Sequence, residues 1–316
     1  MTLLVAADHC NGSTLQAAER KACNFQIDSL GETLHEGEMQ NTQKKVVLVT
    51  GASRGLGKSI ALKLAKSGNY KVYGTIYQSD LEEVPENLFL KHLDVTDQNA
   101  CHQVVQEVLE VEGHIDVLIN NAGQGLFGCA ETVEADQAKR VFDINFFGPL
   151  YMTQAVLPSM RERKVGLIIN ISSVVAISPA PCWDLYNASK FALEGLSESL
   201  AVTLFPWNIN VVLIEPPLIA TEFVQVAPVA QRLKGEQNPY QKLMDNVLKR
   251  LKPGMGQSPD EIAQIVQNAI ETDKPDFRYQ TSDYVKETAA EKFVDPSGNK
   301  LINEDKQWIE KIWDNL

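Results

Sequence analysis

Basic residues are in short supply: 29 Lys and Arg stand against 41 Asp and Glu, a formal net charge of −12 at pH 7. That balance argues against nucleic acid and anionic membrane surfaces as main partners. Cysteine is scarce and scattered, at Cys10, Cys23, Cys101, Cys129 and Cys182, with none of the paired spacing of a metal site. We therefore expect no metal and read the thiols as reduced, in a cytoplasmic protein. No apolar run reaches the length of a transmembrane helix. The first nine residues lack a basic start and a long enough apolar run for a secretory signal, and they are not arginine-rich like a transit peptide. Solenoid-length repeats and low-complexity tracts are also missing.

What is present is ordinary in bulk: 316 residues, 44% hydrophobic and 22% charged, enough for one large α/β domain or two small ones. The informative stretch is Thr50-Gly51-Ala52-Ser53-Arg54-Gly55-Leu56-Gly57. An apolar run at 46–49 precedes it, and a stretch of helical periodicity at 58–67 follows. A glycine-rich turn between strand and helix is the setting of a dinucleotide site. Gly51 would permit the tight turn, Gly55 the approach of a pyrophosphate, and Gly57 close packing of the helix. The helix N-terminus would offer unpaired N–H groups to phosphates.

Strand and helix signals alternate from there on. Strands are expected at 70–77, 88–95, 115–119, 165–171 and 209–214, and helices at 97–111, within 134–160 as one long helix, and at 184–204. Six strands alternating with helices predict an α/β fold, a single Rossmann-type doubly wound parallel sheet with helices on both faces. Residues 1–45 are expected to be a loosely ordered N-terminal extension, 46–300 the Rossmann domain with a substrate lid at 221–259, and 301–316 a helical tail.

Chemistry appears in the second half. Tyr186 and Lys190 lie four apart, on one face of a helix. An ammonium beside a phenol is expected to lower the tyrosine pKa toward the working range, making Tyr186 a general acid or base for an alcohol or carbonyl. The strand before it ends in Ser172-Ser173, and a hydroxyl at that end faces the ligand crevice. Alternation turns one serine away; Ser173 could hold the substrate oxygen, with Ser172 competing. The second strand ends Thr75-Ile76-Tyr77-Gln78, without the acidic residue that binds an NAD ribose. Arg54 could instead pair with a 2′-phosphate. These two features favour NADP, with NAD as the alternative.

Together these residues resemble the short-chain dehydrogenase/reductase family. Residues 50–57 match its T-G-x-x-x-G-x-G loop, Asn120-Asn121-Ala122-Gly123 its N-N-A-G segment, and Tyr186 to Lys190 its Y-x-x-x-K. Segments 141–148, 155–163, 190–201, 277–281 and 295–298 are similar to the branch holding type 1 17β-hydroxysteroid dehydrogenase and the photoreceptor retinol dehydrogenases. The resemblance implies an oxidoreductase moving a hydride between NADP(H) and a lipophilic carbonyl or alcohol, steroid- or retinoid-like. It implies catalytic roles for Asn145, Ser173, Tyr186 and Lys190, with Asn145 positioning a water that relays protons to Lys190. Cofactor contacts would come from Gly51, Ser53, Arg54, Gly55, Leu56, Gly57, Asp94, Val95, Asn121, Ala122, Gly123, Tyr186, Lys190, Pro216 and Thr221. Substrate contacts would come from Ser173, Tyr186, Trp183 and Phe223. It also implies a homodimer or homotetramer, built on the helices at 134–160 and 184–204.

The chain departs from the family pattern at Pro216-Pro217, where relatives have Pro-Gly, so backbone contact to the nicotinamide is in doubt there. It departs again at Val174-Val175-Ala176, whose side chains would narrow the substrate entrance. Two other readings stay open: a non-catalytic NADP(H)-binding sensor or scaffold, and an epimerase or dehydratase sharing Tyr-x-x-x-Lys. The first gives no reason for keeping all four catalytic positions, and the second usually carries a different glycine spacing.

Overall fold

Seven parallel strands form one sheet, in the order β3-β2-β1-β4-β5-β6-β7. They are β1 (Lys45–Val49), β2 (Tyr70–Ile76), β3 (Leu88–His92), β4 (Val117–Asn120), β5 (Gly166–Ile171), β6 (Ile209–Glu215) and β7 (Arg278–Gln280). The helices are α1 (Gly55–Lys66), α2 (Gln98–Glu112), α3 (Ala135–Phe142), α4 (Gly148–Arg163), α5 (Asp184–Thr203), α6 (Gln241–Arg250), α7 (Pro259–Glu271) and α8 (Asp283–Val294). This computed structural model describes residues 44–294, except 79, 80, 82, 83, 234–237, 252 and 253, together with Gln307. The expected N-terminal extension (save its last two residues), the expected C-terminal tail (save Gln307), Cys10, Cys23 and the 295–298 segment lie outside the described residues.

The strands read as near-continuous apolar runs because both faces of the sheet are covered. Alternate residues feed two separate cores. Val47, Val49, Ile119, Ile169 and Ile214 pack toward α1 and α7. Val46, Leu48, Leu118, Ile168 and Val211 pack toward α2 and α4 on the other face. Helix ends follow the local sequence. Asp97 accepts from the N–H groups of Asn99 and Ala100 at the start of α2, and Gly113, at φ 77°, ends it.

The strand order reverses between β1 and β4, which opens a crevice beyond their carboxyl ends. The loop after β1 and the segment after β4 meet there. The architecture is the doubly wound sheet expected from the alternation, with two differences. The sheet has a seventh strand, β7, only three residues long and too short for a periodic signal. The long helix expected within 134–160 is interrupted: α3 and α4 are joined by a π-helical turn, Asp143–Phe147. Apolar spacing continues through both helices, so periodicity could not register the extra residue of a π turn.

Candidate active site

The crevice is a cleft of about 1000 Å³ at the carboxyl end of the sheet. A smaller depression of about 670 Å³ lies at the opposite end, around Lys45, Asp116 and Arg163, away from every candidate catalytic side chain.

One half of the cleft is the glycine loop. Gly51 and Gly55 have left-handed backbones, at φ 70° and 55°. Gly57 is needed for a different reason. A Cβ there would lie 2.2 Å from the Gly51 carbonyl oxygen and 2.3 Å from Asn121 Nδ2. The helix start thus closes onto its own loop and onto Asn121. Asn121 ties the loop down: its Nδ2 donates to the carbonyls of Thr50 (2.9 Å) and Gly51 (3.1 Å). The backbone N–H groups of Asn121 and Ala122 both donate to Thr50 Oγ1 at 3.0 Å. Asn121 is thereby a brace of the loop as well as a cleft-lining residue.

Helix α1 begins with no side-chain cap at Arg54 and no acidic residue in its first turn. Its N-terminal N–H groups and partial positive charge face the cleft. The narrow glycine cradle and uncapped helix start fit the phosphates of a dinucleotide. Ser53, Arg54, Gly55, Leu56 and Lys58 line this end, as do Tyr77 and Gln78 from the end of β2. Lys58 escaped the sequence reading because it sits in the helix, outside the glycine motif. Asp94 and Val95 line the same end. Asp94 accepts from the Thr96 N–H (3.0 Å) and hydroxyl (2.7 Å), and Arg140 pairs with it at 3.4 Å. Burial pushes the Asp94 carboxyl up, but the Thr96 bonds and the Arg140 charge prevail and hold it below its ordinary value.

The other half carries Ser173, Tyr186 and Lys190. The two serines point apart, as strand alternation requires. Ser172 Oγ donates to Glu194 Oε1 at 2.6 Å in the interior. Ser173 Oγ accepts from the Val175 N–H at 3.3 Å, and its hydroxyl acts on the Tyr186 phenol to lower its pKa. Asn145 is fully buried in the π turn. Its Oδ1 accepts from the Gln124 N–H, and its Nδ2 donates to the Gln124 carbonyl and to Ser189 Oγ, each at 2.9 Å. These bonds fasten the turn to the loop after β4 and to α5.

The expected effect of Lys190 on Tyr186 is not what the structure has. Burial pushes the Tyr186 phenol up to about 12, and the bond with Ser173 only partly opposes it. Lys190 is itself pushed down, to about 8, by burial, with Glu194 acting against the fall. Its Nζ donates to the Ile171 carbonyl at 2.8 Å and lies 6.0 Å from the centre of the Tyr186 ring. A shared helix face sets the spacing of the pair, but the two side chains end on different partners.

Aromatic rings close the substrate end. Trp183 and Phe223 flank Tyr186, with ring centres 5.9 and 5.5 Å from it. Trp183 also packs on Phe127 at 5.2 Å. The inner face of α6, Leu243, Met244 and Val247, packs behind these rings. Pro216, Pro217 and Thr221 line the cleft, and the Pro216 carbonyl accepts from the Val174 N–H at 2.8 Å. The fold also brings together two cysteines that the sequence shows 53 residues apart: Cys129 and Cys182 are free thiols with sulfurs 3.4 Å apart, beside Trp183. Among the described residues no group of three or more His, Cys, Asp or Glu is placed to hold a metal ion, and no helix is long and apolar enough to cross a membrane.

Residues 45–231 match the family model described as short chain dehydrogenase. Human retinol dehydrogenase 8 is 34% identical over 273 residues, spanning 82% of this chain and 88% of the relative. Human 17-beta-hydroxysteroid dehydrogenase type 1 is 34% identical over 277 residues, spanning 82% and 84%. The crystal structure of a short-chain dehydrogenase from Streptomyces avermitilis superposes with a TM-score of 0.71 at 30% identity, covering 86% of this chain and 98% of that one.

Proposed function

The chain belongs to the short-chain dehydrogenase family, whose members are NAD(P)-dependent oxidoreductases acting on alcohol groups, and from that premise we propose that it is an NADP(H)-dependent reductase of lipophilic aldehydes or ketones. The observation that carries the reading is the convergence of Ser173 and Tyr186, beneath an aromatic wall, on the cleft that holds the glycine cradle. A bound nicotinamide cofactor would supply the hydride.

The residues around it do the rest. With substrate bound, Ser173 turns its hydroxyl proton to the substrate carbonyl oxygen and fixes it beside Tyr186. A phenol held near pKa 12 is protonated at neutral pH. It is therefore suited to giving a proton to an oxygen that gains negative charge, which is the reductive direction. Lys190 anchors the ribose side of the cleft and supplies positive charge beneath the phenol. Asn145 holds the π turn and the loop after β4 in register with α5, and keeps its proposed part in the proton relay to Lys190.

Arg54 and Lys58, with no carboxylate at Ile76-Tyr77-Gln78, favour a cofactor bearing a 2′-phosphate. Trp183, Phe223, Val224 and Leu251 favour an apolar substrate. The segment 221–259 would act as its lid. The relatives' names point the same way, to a retinoid and a steroid. Oxidation of NADPH and of NADH against aromatic aldehydes, retinal, keto-steroids, short ketones and quinones tests the reading. Turnover is expected with NADPH and an extended apolar carbonyl. Preference for NADH, or for short polar ketones, would contradict it.

A further inference from the structure

Behind the cleft lies a buried set of charges that the proposed reaction does not use. Glu194 and Glu215 are 7% and 0% exposed. Arg278, from β7, pairs with both and also with Glu198 at 2.5 Å. Gln280 donates to the second oxygen of Glu215. Three carboxylates thus share one guanidinium, which leaves a surplus of negative charge when all are ionised.

The direction of that surplus is set by helix α5. Lys190 and Glu194 are one turn apart and both face the interior. Their side chains end on consecutive residues at the end of β5: Lys190 Nζ on the Ile171 carbonyl at 2.8 Å, Glu194 Oε1 on the Ser172 hydroxyl at 2.6 Å. We propose that Glu194 is a positioning residue for the reaction: clamped by Ser172 and Arg278, its carboxylate keeps the buried Lys190 ammonium charged at the foot of the cleft. The proposal rests on the reductase reading above.

The charged and titratable groups facing Glu194 are few. On its own helix they are Lys190 and Glu198; from β6 comes Glu215, from β7 Arg278, and from α8 Lys292. Arg278 is already divided among three carboxylates. Lys292 is committed elsewhere, donating to the Ile177 carbonyl at 2.6 Å with its ammonium 4.1 Å from the centre of the Phe191 ring. Among the described residues Lys190 has no other carboxylate acting on it, and burial alone would discharge it further. The neutral form would offer one donor fewer and no positive charge to the phenol above it.

The test is the pH dependence of kcat/KM for carbonyl reduction by NADPH, in the wild type, Glu194→Gln and Glu194→Asp. The amide keeps the shape and removes the charge. The alkaline limb is expected to move toward lower pH by about one unit in Glu194→Gln, and to return toward the wild-type position in Glu194→Asp. A folded Glu194→Gln protein whose limb has not moved would overturn the proposal. If the amide variant does not fold, carbon-13-labelled lysine in the wild-type and Glu194→Asp chains decides, with Lys190 assigned through Lys190→Arg. The Lys190 signal should titrate at lower pH in Glu194→Asp, whose shorter carboxylate stands farther from the ammonium, than in the wild type, and the same midpoint in both would overturn the proposal. That measurement needs no substrate. Coupling seen in a chain that reduces no carbonyl would count against the reductase reading alone.

Discussion

A single side chain, Arg54, carries most of the proposed cofactor preference. It is exposed at the mouth of the glycine loop and makes no cap for α1, so its guanidinium is available to a phosphate. Arg54→Ala should raise the KM for NADPH about tenfold, the loss of one charge-assisted hydrogen bond of about 1.5 kcal/mol or more. The KM for NADH should stay within about twofold. Steady-state kinetics with both cofactors checks this, and equal losses for the two would remove Arg54 from the 2′-phosphate. At this scale the sequence was legible where chemistry is local. Tyr186, Lys190 and the serine pair declare themselves by spacing and by their place at element ends. It was silent where chemistry depends on burial: the upward shift of Tyr186 comes from desolvation, which no spacing reports. The meeting of Cys129 with Cys182, and of Glu194 with Arg278, joins residues far apart in the chain and leaves no local trace.

Elements follow the same division. The strands from β1 to β6 are announced by their apolar runs, and α1, α2 and α5 by helical periodicity. The π turn at Asp143–Phe147 and the short β7 are not, because each is decided by what it packs against. The glycine loop shows how tightly one element can be specified. Gly57 has an ordinary helical backbone, so what forbids a side chain is contact with the backbone oxygen of Gly51 and the brace Asn121. Neither neighbour is the free end of a flexible chain. Gly57→Ala should therefore widen the loop, lower the melting temperature by several degrees and weaken NADPH binding at least tenfold. Calorimetric melting and fluorescence titration of NADPH would show it. An alanine variant with unchanged melting and affinity would mean that the loop yields at no cost.

For the whole molecule, the buried charge cluster ties β6, β7 and α5 together and makes stability depend on pH. Burial, with the nearby Glu194 charge, pushes the Glu215 carboxyl up to about 7 against the pull of Arg278. The folded state then holds a proton that the unfolded chain, near its ordinary value of 4.5, has already released. Between those two pH values the folded state binds more protons, so this contribution falls as pH rises and is constant outside the window. Glu215→Gln should abolish it. The difference in unfolding free energy, wild type minus variant, should fall from pH 5 to pH 7.5 by at most about 3 kcal/mol. Urea unfolding at several pH values measures it, and parallel curves for the two proteins would contradict the shift. The order of strands was not legible, since periodicity gives elements without their arrangement. The reversal of that order is what joins the glycine cradle to the Ser173 and Tyr186 pair in one cleft.

The claim that everything else rests on is that Tyr186 gives the proton. The direct test is NADPH-dependent carbonyl reduction by Tyr186→Phe beside the wild type, with NADPH affinity measured in both. The account predicts that turnover falls by at least about three orders of magnitude while NADPH affinity changes little, since the variant loses one hydroxyl and keeps the ring packed between Trp183 and Phe223. Wild-type turnover in a Tyr186→Phe protein that binds NADPH normally would contradict it.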